Sequence, residues 1–292
     1  MRAGAREFLS LPIGPGSTIE EAMVRAMVRR PATRPASRKA IGKLMIFIGA
    51  KGGSGVTTIA TNFAVAISQE SQNHSLLIDL DLPIGDAALS LGIRSEFSVV
   101  SALENFGRLD STFLTKLVTK HSTGLSVLST PDVYTPIQVT PEAINRVVSV
   151  ARQTFDFVVV DAGSNITPAI QSLFKDASAV YLVTQVSVPE LRNSNRLISE
   201  FFAPFGFKPE VVLNRFTQRP LGLDEKEIGK ALTQQPEWKV PSDYETAQTA
   251  QNTATALALK DSSISRVIRQ MARVACGLPK KADKKKGFSL FG

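Results

Sequence analysis

A glycine-rich loop followed by two threonines carries the clearest chemical signal in the sequence. Residues 51–58 read KGGSGVTT and follow a short apolar run. Three glycines allow the backbone to curl so that successive N–H groups point inward, and a helix N-terminus adds partial positive charge. The pattern predicts a phosphate cradle, in which the hydroxyl of Thr57 is a magnesium ligand.

Two aspartates end apolar runs elsewhere in the chain. Asp79 closes the run 75–79, and Asp161 closes the run 157–161. A carboxylate at the carboxyl end of a central parallel strand faces the ligand crevice of an open α/β sheet. Taken singly, each aspartate is also compatible with capping the segment that follows it.

The elements that must position these residues alternate between short β-rich runs and helical stretches from Lys43 to Gly277. This alternation predicts an α/β fold with a doubly wound, mostly parallel sheet. The predicted strands are 44–49, 75–79, 125–129, 157–161, 179–184, 210–214 and 237–240. The predicted helices are 57–70, 141–155, 189–202 and 262–276.

Composition excludes several classes of protein. The chain has 292 residues, of which 43% are hydrophobic and 21% charged, as is typical of a folded globular protein. The longest apolar runs are far shorter than the roughly 20 residues of a membrane-spanning helix. One cysteine and two histidines argue against a disulfide framework and a zinc cage, and they favour a cytoplasmic location.

The net charge of +8 is concentrated at the two ends of the chain. Residues 1–43 carry nine Lys and Arg against three Glu, and residues 277–292 carry five Lys against one Asp. The body between them is therefore close to neutral, which argues against a broad nucleic-acid surface. Three arginines, Arg266, Arg269 and Arg273, share one face of the last predicted helix, and a solvated face is favoured over a phosphate-binding stripe.

The loop is similar to the deviant Walker A motif, KGGxGKT, of the MinD/ParA family of P-loop (SIMIBI-type) NTPases. One departure stands out, because Val56 occupies the position of the P-loop lysine. In the family, the early lysine reaches across a nucleotide-sandwich dimer to the partner's phosphates, and the resemblance carries that role to Lys51. It implies ATP and Mg²⁺ as cofactors and a homodimer as the assembly.

Further segments resemble the family's motifs in the same order. LLIDLDLPIGDAALSLG (76–92) resembles the second strand and switch I, which implies that Asp81 positions the attacking water, and DFVVVDAG (156–163) resembles Walker B. Asn214 and Arg215 match the adenine-side position, and 240–259 resembles the loop that completes the base pocket, although Thr253 and Thr255 replace its usual Gly and Pro. The implied catalytic residues are Asp81 and Lys51. The implied metal-site residues are Thr57, Asp79 and Asp161. The implied cofactor-binding residues are Lys51, Gly52, Gly53, Ser54, Gly55, Val56, Thr57, Thr58, Asn214, Arg215, Pro241 and Asp243.

Within the family, GAKGGSGVTTIATNFA followed by IDLDLPIGDAAL and a PSDY loop resembles the CpaE/TadZ group, which is associated with assembly and polar placement of Flp-type (Tad) pili. The resemblance implies a division into a receiver-like remnant (1–30), a linker (31–42), the nucleotide-binding domain (43–277) and a basic tail (278–292). For the tail, a solvated segment is favoured over contact with an anionic membrane.

The expected function is that of an ATP-binding switch, cytoplasmic or peripheral at the inner membrane or cell pole, that positions pilus secretion components. Slow or absent hydrolysis is expected because Val56 removes a charge that stabilises phosphate oxygens. Two alternatives remain open, namely a nucleotide-independent localisation scaffold and a ParA-like DNA-partitioning ATPase. Specific recognition of nucleic acid is not expected.

Overall fold

An eight-stranded sheet forms the centre of the part of the chain that the computed structural model describes, residues 41–71 and 73–279. The strand order is β3-β4-β2-β5-β1-β6-β7-β8, and within it β3 pairs antiparallel with β4. The strands are β1 (Lys43–Gly49), β2 (Ser75–Asp79), β3 (Thr119–Lys120), β4 (Ser126–Leu128), β5 (Phe157–Asp161), β6 (Ala179–Thr184), β7 (Glu210–Phe216) and β8 (Trp238–Pro241). The seven predicted strands are all present and parallel, so the predicted fold class is confirmed, and the two-residue β3 was not predicted.

Ten α-helices lie within the same described residues, eight between strands and two after β8. They are α1 (Val56–Ser71), α2 (Ala87–Ser90), α3 (Val99–Glu104), α4 (Ser111–Leu117), α5 (Pro141–Thr154), α6 (Pro168–Leu173), α7 (Val188–Arg196), α8 (Glu225–Leu232), α9 (Tyr244–Asn252) and α10 (Ser263–Ala275). The prediction of one helix over 189–202 was wrong in part, because α7 ends at Arg196 and the chain continues as a π-helix over Leu197–Phe202.

Alternate residues of β1 divide the core between the two faces of the sheet. Leu44 and Ile46 pack in the cluster that includes residues of α3 to α8, whereas Met45 and Phe47 pack in the cluster that includes α1 and α10. All four side chains are almost completely buried. Because both faces are covered, the central strands are continuously hydrophobic rather than alternating, as expected for a parallel sheet.

The sheet order brings the glycine-rich loop and the two strand-end aspartates together at the carboxyl ends of the strands. β1 lies between β5 and β6, and β2 pairs with β5 in a register that places Asp79 directly beside Asp161. β1 ends at Gly49, so the glycine-rich loop leaves the sheet at the same edge and enters α1. Because these strands are parallel, their carboxyl ends lie together and form the predicted ligand crevice between the loop and the two aspartates.

The proposed outer segments lie largely outside the described residues. The receiver-like remnant (1–30) and the linker up to residue 40 are not among them, and neither is the basic tail from residue 280 onward. Within the described residues, no helix has the length and apolar character needed to cross a membrane.

Candidate functional site

The glycine-rich loop adopts the curled backbone that its composition predicts. Gly53 and Gly55 have φ angles of +86° and +94°, in the left-handed region that favours glycine. The amide of Ser54 donates to the carbonyl of Lys51 at 3.2 Å and closes the first turn of the loop. A side chain at position 55 would collide with the amide group of Asn214, so glycine is required there by space as well as by backbone angle.

Val56, which stands in place of the P-loop lysine, turns its side chain into the protein core. It is 6% exposed and belongs to the hydrophobic cluster of α1. It also contacts the end of β1 so closely that a Cβ at Gly49 would lie 2.7 Å from its Cγ2 atom. Only the backbone amide of Val56 is therefore placed to serve a phosphate.

Three polar side chains hold the loop from the side of β6 and β7. Gln185 Nε2 donates to the carbonyl of Gly53 at 3.0 Å, and Asn214 Nδ2 donates to the carbonyl of Ser54 at 2.9 Å. The hydroxyl of Ser54 lies 2.8 Å from Glu190 Oε2 and 2.6 Å from the carbonyl oxygen of Lys51, so two acceptors share its single proton. Neither Gln185 nor Glu190 had a role predicted from the sequence.

Asp79 lies at the end of β2 and is completely buried. Its two oxygens accept the backbone amides of Asp81 at 3.1 Å and Ala87 at 3.2 Å. Burial is the main cause that raises its pKa to about 7, and the neighbouring Asp161 adds to that rise. The two amides oppose it, so Asp79 also anchors the loop that leads from β2 to α2.

Asp161, at the end of β5, has one oxygen with a partner and one without. Its Oδ1 accepts the amide of Gly163 at 3.1 Å, whereas its buried Oδ2 has no hydrogen-bond partner. Burial raises its pKa to about 6. The hydroxyl of Thr57 is near enough to lower that pKa in part, although it does not meet the geometry of a hydrogen bond to Oδ2. A buried carboxylate oxygen without a partner, beside a threonine at the start of a helix, fits the oxygen ligands that Mg²⁺ prefers.

The described residues contain no group of three or more His, Cys, Asp or Glu side chains arranged to hold a metal by themselves. Mg²⁺ keeps several waters and is commonly held by one or two carboxylates together with substrate phosphates. The pairing of Asp161 with Thr57 is therefore suited to a metal that arrives with a nucleotide.

Asp81 is half-buried and lies against the backbone that follows β5. A side chain at Gly163, where φ is +59°, would collide with its carboxylate. Burial raises the pKa of Asp81, and the nearby Asp86 adds to that effect. The structure thus brings Asp79, Asp81 and Asp161 together at the crevice beside the loop.

The residues expected on the adenine side lie in different kinds of position. Asn214 is 8% exposed and directs its side chain at the loop, and its Oδ1 accepts the amide of Arg215 at 2.9 Å. The carboxylate of Asp243 caps α9 by accepting the amide of Thr246 at 3.2 Å. Pro241 ends β8. The contribution of these residues to a base pocket stays a prediction.

The remaining predicted loop residues lie toward solvent. Lys51, Gly52 and Thr58 are exposed, so the ammonium group of Lys51 is accessible to a second molecule.

The three arginines of α10 are engaged within the chain. Arg266 pairs with Asp261, Arg269 donates to the carbonyl of Ala258, and Arg273 pairs with Glu70. This helix therefore adds no support to binding of nucleic acid.

The loop, the adjoining carboxylates and the parallel sheet define a P-loop type of α/β fold, and comparisons with known proteins agree. The chain superposes on a ParA family ATPase from Chlorobium tepidum with a TM-score of 0.73 at 26% identity, covering 79% of this chain and 98% of that one. It superposes on MinD from Aquifex aeolicus, in complex with MinC, with a TM-score of 0.68 at 22% identity, covering 82% and 99%. No protein-family model matches the sequence.

Sequence comparison points in the same direction. The septum site-determining protein MinD of Thermotoga maritima is 24% identical over 183 residues, and that of Bacillus subtilis is 21% identical over 178. These alignments cover 60% of this chain and 65% of each relative. Together, the relatives and the solved structures show that the chain is similar in sequence and fold to MinD and ParA family proteins.

Proposed function

We propose that the protein is a switch that binds ATP with Mg²⁺ and dimerises over the nucleotide. The observation that carries this proposal is the position of the unpartnered Asp161 Oδ2, buried beside Thr57 at the start of α1. In an ordinary core, a carboxylate oxygen without a partner is costly, whereas a hydrated cation at this point would satisfy it. The curled loop next to it, with Gly53 and Gly55 at positive φ, is the kind of backbone whose amides can bind phosphate.

Relatives with the same fold support the choice of ligand. One neighbour is MinD from Pyrococcus horikoshii complexed with Mg-ADP, and another is a McdA–ATP complex from Cyanothece. For this chain, Mg²⁺ would neutralise charge on the phosphate oxygens. Thr57 would hold it directly and Asp161 through water, while the amides of residues 52–57 hold the phosphates.

Slow hydrolysis, or none, follows from the residue at position 56. Val56 has its side chain in the core, so it leaves the phosphate oxygens without the ammonium group that stabilises them in an ordinary P-loop. Asp81 is half-buried with a raised pKa, and we assign it the orientation of the attacking water. The protein would therefore dwell in its nucleotide-bound state.

Dimerisation is assigned to Lys51. Its side chain is exposed at the start of the loop, where it can reach the phosphates bound by a second copy. In the Lys51→Ala variant, we expect ATP to bind a monomer with weakened affinity and no longer to induce the dimer. Light scattering with and without ATP and Mg²⁺ measures this, and a nucleotide-induced dimer of the variant would contradict the role of Lys51.

The test of nucleotide binding is a calorimetric titration of the purified chain with ATP and Mg²⁺, with the Asp161→Asn variant as a control for the metal. We expect saturable binding that the variant weakens about 10- to 100-fold, as for other residues that support a bound metal. Absence of heat, together with an unchanged oligomeric state, would overturn the switch and favour the nucleotide-independent scaffold.

For the cellular role, we propose positioning or assembly of Flp/Tad-type pilus secretion components, at the cytoplasmic face of the membrane or the cell pole. The support is the resemblance of the loop, with valine at position 56, and of the IDLDL segment to the CpaE/TadZ group. Co-purification of pilus secretion components with wild type, and their loss with Lys51→Ala, is the expected result. Salt-sensitive binding to nonspecific duplex DNA would instead favour partitioning.

A further inference from the structure

A buried acid that the proposed function leaves unused lies directly behind the loop. Glu190, in the first turn of α7, is 7% exposed. Its Oε2 atom accepts the amide of Gln185 at 2.7 Å and the hydroxyl of Ser54 at 2.8 Å. The hydroxyl of Thr184 lies 3.4 Å from the same oxygen.

The local sequence alone would have Glu190 complete a helix cap. Ser187 is the N-cap of α7, and its hydroxyl accepts the amide of Glu190, as in the first half of a capping box. The carboxylate, however, bonds to Gln185 and to Ser54, which is 136 residues away in the chain. Since burial of a charge is costly unless it is well hydrogen-bonded, this bond to the loop needs an explanation beyond the cap.

We propose that Glu190 is a positioning residue that holds the loop in its phosphate-accepting conformation before nucleotide arrives. This inference rests on the proposed function. Glu190 holds the side chain of Ser54 together with the carbonyl of Lys51, which lies 2.6 Å from the same hydroxyl, while Asn214 fixes the carbonyl of Ser54. Because the peptide group is planar and trans, fixing that carbonyl also fixes the N–H of Gly55, which points the opposite way.

Because the P-loop lysine is missing, a loop that is already ordered matters more for phosphate binding. With Val56 buried in the core, the phosphates depend on backbone amides at the start of α1. When a loop becomes ordered only on binding, the free-energy cost of ordering it reduces the affinity for the ligand. A loop that is already held in place avoids this cost. Glu190, Gln185 and Asn214 together supply that preorganisation.

The geometry also predicts which substitution should be tolerated. A single oxygen of Glu190 accepts both the Gln185 amide and the Ser54 hydroxyl. The carbonyl oxygen of a glutamine can accept the same two bonds, whereas an alanine can accept neither. Glu190→Gln should therefore behave like wild type, and Glu190→Ala should release the loop.

The experiment compares Glu190→Ala, Glu190→Gln and Ser54→Ala with a matched control, Ser194→Ala. Ser194 belongs to the same buried network, because its hydroxyl donates to that of Thr184 at 2.8 Å, but it does not bond to the loop. Two readouts are used, namely hydrogen–deuterium exchange of residues 50–58 in the nucleotide-free protein and calorimetric affinity for ATP with Mg²⁺. Thermal melting of each variant reports on the fold.

We expect exchange in the loop to be about tenfold faster, and ATP affinity about tenfold weaker, in Glu190→Ala and Ser54→Ala, which is the scale of one lost hydrogen bond to a charged group. Glu190→Gln should lie within about threefold of wild type, and Ser194→Ala should match wild type even where its melting temperature falls. Unchanged loop exchange in Glu190→Ala would overturn the proposal, as would an equal effect of Ser194→Ala.

The two readouts separate this inference from the proposed function. If wild type binds no ATP while its loop is protected and Glu190→Ala loses that protection, the switch fails and the positioning role of Glu190 stands. If wild type binds ATP and Glu190→Ala binds equally well, the switch stands and the positioning role fails.

Discussion

Replacing Asp161 by asparagine should make the nucleotide-free protein more stable while it weakens binding of Mg²⁺ with nucleotide. In the folded protein, Asp161 is completely buried and lies in register with Asp79. Asparagine keeps an oxygen to accept the amide of Gly163, and it places an NH₂ group where Oδ2 has no partner. It also removes one of two neighbouring like charges.

The magnitude follows from the raised pKa of Asp161. Burial raises that pKa from 3.8 to about 6, and at about 1.4 kcal/mol per pKa unit this corresponds to an upper limit of roughly 3 kcal/mol above neutral pH. We expect 1–3 kcal/mol of this to be recovered, as an order-of-magnitude range, since the new NH₂ group must itself find an acceptor. For a domain of this size, about 2–4 °C in melting temperature accompanies each kcal/mol.

The raised pKa values also predict how the stability of wild type and of Asp161→Asn changes with pH. Asp79 and Asp161 both have pKa values above 3.8 in the folded protein, so the native state retains protons that the unfolded chain has released. The free energy of unfolding of wild type should therefore fall as the pH rises from about 4 to about 7. The gain from Asp161→Asn should be largest at pH 8 and should shrink toward zero near pH 4.

Thermal and urea unfolding in EDTA, without nucleotide, measure this from pH 4 to 8. Asp176→Asn is the matched control, because Asp176 is an exposed aspartate on a 3-10 turn and should leave stability nearly unchanged. An Asp161→Asn variant that is less stable than wild type at pH 8 would refute the reasoning, because it would mean that Oδ2 is satisfied in the free protein.

Two further substitutions test the loop. Gly55→Ala places a side chain against Asn214 at a φ of +94°, so we expect a strain of about 1–2 kcal/mol and at least a tenfold loss of ATP affinity by calorimetry. Unchanged affinity would show that the loop reorganises freely. Val56→Lys moves a side chain out of the core, so we expect a lower melting temperature together with higher ATP affinity or turnover. Val56→Ala serves as its uncharged control, and equal nucleotide binding by the two variants would contradict a role for the missing charge.

Much of the fold could be predicted because its strands are buried on both faces. Runs such as 157–161 are continuously hydrophobic, and this local property is visible without any tertiary information. Several of the helices that were not predicted are short. Among them, α3, α4 and α6 have six or seven residues, and helices of this length depend on packing and on caps such as Asp110 and Thr167. A capping residue alone does not distinguish a helix start from a turn.

The candidate site divides in the same way. The loop and the strand-end aspartates were predictable, because motif and strand end are local in sequence. The contact of Glu190 with Ser54 depends instead on β6 lying beside β1, which only the sheet order determines. Asn214 shows a related limit. It was predicted to end a strand, whereas β7 continues to Phe216, and the bond of its side chain to the loop was not predicted.

The distribution of charge around the loop leads to a strict requirement for Mg²⁺. Without the metal, ATP would approach Asp79 and Asp161 at a loop where Val56 offers no positive side chain. At an effective dielectric constant near 20, two like unit charges separated by about 5 Å repel each other by about 3 kcal/mol. We therefore expect EDTA to weaken ATP binding at pH 8 by about 100-fold or more, and we expect Val56→Lys to reduce that dependence. Affinity that is equal with and without Mg²⁺ would mean that the aspartates do not face the phosphates, and the assignment of Asp161 to the metal would then be wrong.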